Sequence, residues 1–182
     1  MLPPKLKILM IGPSESGKTQ IANFISESMN IDEWYGTPRP TQGVRIVEFE
    51  VSNLSINGKI TNIDIELWDC SGDHKFEPCW PTLRVGVHGV ILVCSPSTAQ
   101  AAARGMELLY NYFVSQPKLS PKQCVLFYNC TDENDDIDAL NLSATFTKVS
   151  QVAINLKSGS NRLKIDFSNY IASVLQTINM EG

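Results

Sequence analysis

The run Gly12-Pro13-Ser14-Glu15-Ser16-Gly17-Lys18-Thr19 constrains the fold of this chain more than any other feature. It satisfies G-x-x-x-x-G-K-[ST], a loop whose glycines let successive backbone N–H groups turn inward on an anion. The pattern predicts Gly12, Glu15, Ser16, Gly17 and Lys18 as phosphate-binding, with the Lys18 ammonium reaching the terminal phosphates. The Thr19 hydroxyl is the expected magnesium ligand, and also belongs to the phosphate loop. Both flanks agree. Lys5 to Ile11 reads as a short strand with an apolar core, and Ile21, Phe24 and Ile25 recur at helical spacing behind the loop. A helix beginning there directs its partial positive charge at the bound anion.

At 182 residues the chain is read as one domain, residues 1–182, large enough for a sheet covered on both faces. A net charge of −4 provides no broad basic field for nucleic acid or an anionic membrane. Five cysteines lack the spacing of a zinc site, and Cys94 and Cys124 lie on apolar strands, so reduced thiols in the cytoplasm are expected. No run is apolar enough to span a bilayer and none reads as a secretion signal. Met1-Leu2 offers no glycine for myristoylation and no cysteine follows Cys130, so any membrane association is expected to come through a partner.

Beyond a turn-rich stretch from Ile31 to Gly43, Val47, Phe49 and Val51 alternate with Glu48 and Glu50. Asn57-Gly58 is a two-residue hairpin turn, and Ile63, Ile65 and Leu67 then alternate with polar residues on an antiparallel partner. Val87 to Cys94 and Cys124 to Tyr128 are nearly continuous apolar runs, as in strands covered on both faces by crossover helices. Between them Ser97 is the expected cap of a helix carrying Ala102, Met106, Leu109 and Phe113 inward. A strand near Val149 to Ile154 precedes a terminal helix with Leu163, Phe167, Tyr170, Ile171, Val174, Leu175 and Ile178 on one stripe, read as core. The fold class is therefore α/β: a mostly parallel six-stranded sheet with one antiparallel edge strand and helices on both faces. Ligands of such sheets sit at the carboxyl ends of the strands.

Two further signals fall at such ends. Asp69-Cys70-Ser71-Gly72 closes an apolar strand with D-x-x-G, where Asp69 can hold magnesium through water and the Gly72 N–H can sense a γ-phosphate. Asn129-Cys130-Thr131-Asp132 gives N-x-x-D after the Tyr128 strand. A carboxylate at Asp132 accepts from the N1–H and 2-amino group of guanine, a donor pair that adenine lacks. The plainer alternative is a cap or Asx-turn opening the acidic stretch from Asp132 to Asp138.

Together these residues resemble the small GTPases of the Ras superfamily, in their Rab and Arf branches, over nearly the whole chain. The resemblance implies a Ras-like P-loop fold that binds GTP or GDP with magnesium. It makes Thr41 in Pro40-Thr41-Gln42-Gly43 the switch threonine that ligates the metal, alongside Thr19 and Asp69. Asn129 and Asp132 become the guanine site, joined by Leu156 and Lys157 of a loosely matched Asn155-Leu156-Lys157. The combination of G-P-S-E-S-G-K-T, R-P-T-Q-G-V-R-I, E-L-W-D-C-S-G-D and K-F-E-P-C-W-P is similar to the Rab-like GTPases of the intraflagellar transport B complex. That likeness implies coiled-coil core subunits of the complex as partners, and the cilium or flagellum and its base as location.

Three departures bear on activity. Asp73 stands where the family has a glutamine that orients the attacking water, which predicts very slow intrinsic hydrolysis. Cys130 replaces a lysine whose stem packs across the base, which predicts weakened, micromolar nucleotide binding. The segment from Asp132 to Val149 is too acidic and interrupted for a full helix. Phe76 and Trp80 in the second switch, and Trp34 and Tyr35 in the first, are candidate docking residues or loop packing. His74 and His88 show no acid or metal partner. Two rivals stand beside the GTPase reading: a scaffold whose nucleotide only stabilises the fold, and a P-loop kinase. A kinase lid calls for clustered arginines, whereas Arg84 and Arg104 are dispersed.

Overall fold

The computed structural model describes residues 5–26, 40–132, 134–135, 142–157 and 160–181, the side chains of 99–102, 160 and 181 excepted. Trp34 and Tyr35, most of the turn-rich stretch and the Ala102 side chain lie outside the described residues. Six strands form one sheet in the order β2-β3-β1-β4-β5-β6, comprising β1 (Lys5–Ile11), β2 (Val44–Ile56), β3 (Lys59–Cys70), β4 (Gly89–Cys94), β5 (Cys124–Asn129) and β6 (Ser150–Ile154). Every pairing is parallel except β2 with β3, so the expected antiparallel strand is the β2 edge.

The β2–β3 hairpin turns at Asn57 and Gly58, both at positive φ (50° and 77°), which matches the right-handed strand twist. Its register sets Arg45 opposite Asp69 and Val47 opposite Leu67. Alternation then sends Leu67 and Ile65 to one face, against α1 (Lys18–Ile25) and α4 (Ser160–Glu181), with Ile21, Phe167 and Ile171. The opposite face packs α2 (Trp80–Leu83), α3 (Pro96–Tyr110) and the π turn that follows it (Asn111–Ser115), with Leu83, Met106 and Phe113. β4 and β5 are buried throughout, as strands covered on both faces must be. The α4 stripe is core from Leu163 to Leu175, and Ile178 packs partly buried at its end.

Local chemistry moves two expected boundaries. Ser95, not Ser97, caps α3: Pro96 takes the first helical position and forces its predecessor to be extended, and Thr98 Oγ1 accepts the Ser95 N–H at 3.0 Å. β4 begins at Gly89 rather than Val87, because His88 bonds β1 with its ring: Nδ1 accepts the Lys7 N–H and the His88 N–H donates to the Lys7 carbonyl, both at 2.9 Å. His74 also has an acid partner, Glu77, at 2.5 Å. Before β6 the described residues form a 3₁₀ turn at Ala144–Lys148, and residues 133 and 136–141 of the acidic segment lie outside the described residues. No helix among the described residues is long and apolar enough to cross a membrane.

Candidate nucleotide-binding site

β1 ends at Ile11 and α1 begins at Lys18, so the intervening loop lies at the carboxyl edge of the sheet. Gly17 caps α1 in the left-handed region (φ 89°), and a Cβ there would meet Asn129 Nδ2 at 2.1 Å, so only glycine fits. Glu15 is left-handed too (φ 63°) and exposed at the loop tip. Lys18 is buried and its Nζ donates to the carbonyls of Gly12 (3.0 Å) and Pro13 (2.7 Å). No carboxylate among the described residues forms an ion pair with it, and burial pushes its ammonium down to about 8 although Asp69 acts against the shift. The third partner of Lys18 Nζ is the Ser16 hydroxyl at 3.4 Å, and a buried cation held by neutral oxygens alone is a site that an anion completes.

Asp69, fully buried at the end of β3, is the second centre. Its Oδ2 accepts the Thr19 hydroxyl at 2.7 Å and the Thr41 hydroxyl at 3.2 Å, and the two hydroxyls are 2.8 Å apart. Its Oδ1 is buried without a partner. Three oxygens from three separate segments, one of them on a carboxylate with acceptor capacity to spare, fit a hard divalent cation. No group of three or more His, Cys, Asp or Glu side chains among the described residues could hold a metal, so the fit rests on the threonine hydroxyls.

Lys18, Thr19 and Thr41 line one cavity of about 530 Å³ together with Ser71, Gly72 and Asp73, and the buried Asp69 lies behind the two threonine hydroxyls. Gly72 lies directly against the phosphate loop: a Cβ there would fall 2.3 Å from Ser14 N and 2.6 Å from the Gly12 oxygen. The Ser71 N–H donates to the Gly43 carbonyl at 2.7 Å and ties the Thr41 segment to the Gly72 segment. The exposed Asp73 carboxylate caps the 3₁₀ turn His74–Cys79, accepting the Lys75 N–H at 3.0 Å and the Lys75 ammonium at 3.2 Å. The backbone N–H of Lys75, chiefly, holds that carboxyl below its usual range. Trp80 takes the packed alternative, its ring 5.4 Å from those of both Tyr112 and Phe113. Phe76 is half-buried beside Gly43, with the Lys75 ammonium 5.0 Å from its ring.

The N-x-x-D loop is joined to this cavity by Asn129, whose buried amide donates to the Ser16 carbonyl at 3.2 Å. Asp132 is exposed. The carboxylate that closes the turn is Asp135, whose Oδ2 accepts the N–H groups of Thr131 (2.7 Å) and Asp132 (2.8 Å). Cys130 is half-buried and its Sγ points back to the Tyr128 carbonyl (3.7 Å), so it spans nothing that a lysine stem would cover. The Cys130 N–H bonds the Ile154 carbonyl at 2.7 Å and sets the Leu156-Lys157 turn beside the N-x-x-D loop. Leu156 is half-buried there and Lys157 exposed. The phosphate and metal residues are thus brought together, whereas Asp132, Leu156 and Lys157 stand on loops outside the cavity.

Two residues escaped sequence reasoning. Asp135 was submerged in an acidic run. Arg45 shares strand parity with the inward-facing Val47, Phe49 and Val51, and that parity was the available signal.

Residues 7–132 match the family model described as Ras of Complex, Roc, domain of DAPkinase. The chain is 41% identical over 176 residues to the intraflagellar transport protein 22 homolog of Homo sapiens, covering 96% of this chain and 92% of that one. The GTP-bound crystal structure of T. brucei IFT22/74/81 superposes with a TM-score of 0.77 at 19% identity, covering 99% of this chain and 100% of that chain. The GDP-bound crystal structure of T. brucei IFT22 gives a TM-score of 0.69 at 20% identity, covering 94% and 97%. At those identities the two crystal structures establish a shared Ras-like fold.

Proposed function

This chain belongs to the Ras-like GTPase domains, within the family of the intraflagellar transport protein 22 homologues, and from that premise we propose that it is a guanine-nucleotide-dependent docking subunit of ciliary transport. Residues 1–182 act as one GTP-binding domain. Gly12, Glu15, Ser16, Gly17, Lys18, Thr19 and Gly72 take the phosphates, and Asn129, Asp132, Leu156 and Lys157 take the guanine. Thr19, Thr41 and Asp69 hold magnesium, which when bound neutralises phosphate charge. The observation that carries this reading is the convergence of Lys18, Thr19 and Thr41 on one cavity, with the Asp69 carboxylate behind both hydroxyls and no carboxylate among the described residues paired with the buried Lys18 ammonium.

Partner docking follows from the loops. Phosphate contacts to Thr41 and Gly72 order both switches, which the Ser71–Gly43 bond already couples, and so lower the cost of binding a partner. The partners are coiled-coil core subunits of the intraflagellar transport B complex, in keeping with the relative solved as IFT22/74/81. The chain works in the cytoplasm, at the cilium or flagellum and its base. Hydrolysis is very slow, because Asp73 is engaged as a helix cap and offers no amide to orient water.

Titrating GTP, GDP and ATP into the purified protein, with and without magnesium, tests the core of this. Guanine nucleotides bind and ATP does not, and Asp132→Asn erodes that preference. Unchanged selectivity in Asp132→Asn removes the base-reading assignment, and no nucleotide binding removes the whole reading. The displaced Cys130 and capping Asp73 favour one second reading, a scaffold whose nucleotide only stabilises it. Equal partner affinity for the GTP and GDP forms would establish that alternative, since a ligand cannot shift what it does not discriminate.

A further inference from the structure

Arg45 is the residue of this site whose chemistry the nucleotide reading leaves unused. It sits on the edge strand β2, in register with Asp69 across the antiparallel pair, and points to the same face. Its Nη2 lies 3.7 Å from Asp69 Oδ2, the oxygen that also receives both threonine hydroxyls. Yet Arg45 Nε and Nη2 are buried and make no hydrogen bond, and neither does Asp69 Oδ1. A guanidinium and a carboxylate free to optimise would form a bidentate pair near 2.8 Å. Here the two are close enough to attract, but the aspartate is turned toward the hydroxyls.

We infer that Arg45 is a resident cation of the metal site, which competes with the divalent ion for the Asp69 carboxylate and raises the magnesium concentration needed for nucleotide retention. This rests on the reading of Thr19, Thr41 and Asp69 as the metal ligands. The physical reason is a balance of charge. Without metal, Asp69 is a fully buried carboxylate, and a guanidinium within 4 Å removes most of the cost of keeping it ionised. With metal, the same fixed charge stands beside a divalent cation and repels it. At the effective dielectric of a partly exposed site, that repulsion amounts to an order of magnitude or more in affinity. Arg45 therefore acts through Asp69, as a positioning residue that sets metal affinity without touching the phosphates.

The test measures the dissociation rate of a fluorescent GDP from the full chain as free magnesium is raised, in wild type, Arg45→Gln and Arg45→Lys. Arg45→Gln keeps length and polarity but removes the charge, and the magnesium concentration for half-maximal retention should fall by about tenfold or more. Arg45→Lys keeps the charge and should behave as wild type. An unchanged or raised magnesium requirement in Arg45→Gln overturns the inference, as does a lysine variant that behaves like the glutamine one. Melting of the nucleotide-free chain in magnesium chloride alone separates this failure from that of the nucleotide reading. A magnesium-dependent rise confined to Arg45→Gln sustains the role of Arg45 even if GDP does not bind. No rise in any variant, together with no GDP binding, overturns both.

Discussion

The Asn129 side-chain amide donates to the Ser16 carbonyl across 113 residues of sequence, and Gly17 leaves no room between them for even a methyl group. This single contact fixes the loop after β5 against the phosphate loop. Asn129→Ala should leave the buried Ser16 carbonyl unsatisfied and cost about 1–2 kcal/mol of stability. It should also weaken GDP binding. Chemical denaturation of the nucleotide-free protein reads the first effect and equilibrium titration the second. Unchanged stability would mean that the loops are held elsewhere.

Lys18 is a buried ammonium bonded to carbonyls and paired with no carboxylate among the described residues. Replacing it with alanine should remove about 2–5 kcal/mol from nucleotide binding, the range for truncating one side of a desolvated charge pair. Isothermal titration with GDP measures this directly. A loss of less than threefold would place the phosphates elsewhere.

A methyl group at position 72 would overlap backbone atoms of Gly12, Pro13 and Ser14, which cannot give way as a flexible side chain would. Gly72→Ala should therefore destabilise the protein by about 1–3 kcal/mol, with a lower melting temperature. A melt like that of wild type would show that the Gly72 segment parts freely from the phosphate loop.

The two aromatics of the second switch should separate by experiment. Trp80 packs on Tyr112 and Phe113, so Trp80→Ala should cost about 2–4 kcal/mol of stability. Phe76→Ala, at a half-buried ring on the loop, should change stability by less than about 1 kcal/mol while weakening capture of the partner. Comparable destabilisation by both would assign Phe76 to packing.

His88 gives the fold a pH dependence. Burial lowers its pKa below 6.5, and the nearby Lys7 ammonium adds to this. Its Nδ1 must stay unprotonated to accept the Lys7 N–H. Below about pH 6.5 the unfolded chain binds more protons at this residue than the native one, so its contribution is present at neutral pH and is lost as pH falls. Wild type should therefore lose more melting temperature than His88→Gln between about pH 7.5 and about pH 5.5. Parallel losses would place the titration elsewhere.

Much of this was legible in the residues themselves. Gly12 to Thr19, Asp69 to Gly72 and Asn129 to Asp132 are local spacings, each at the end of a strand whose apolar pattern is visible, so their meeting at one sheet edge follows from the α/β order. The Asn57-Gly58 turn and the parity of Val47, Phe49 and Val51 likewise determine the hairpin and its buried face. What depends on atoms brought together from distant segments was not legible. The choice of Ser95 over Ser97 as helix cap lay with the conformation Pro96 imposes, and the closing of the N-x-x-D turn fell to Asp135 because its carboxylate reaches two backbone N–H groups. Trp80 packs against the core only because the π turn after α3 presents Tyr112 and Phe113 to it. Strand parity alone could put Arg45 on the inner face. Only the pairing register of β2 with β3 sets its charge beside Asp69, because a shift by one residue would turn it to solvent.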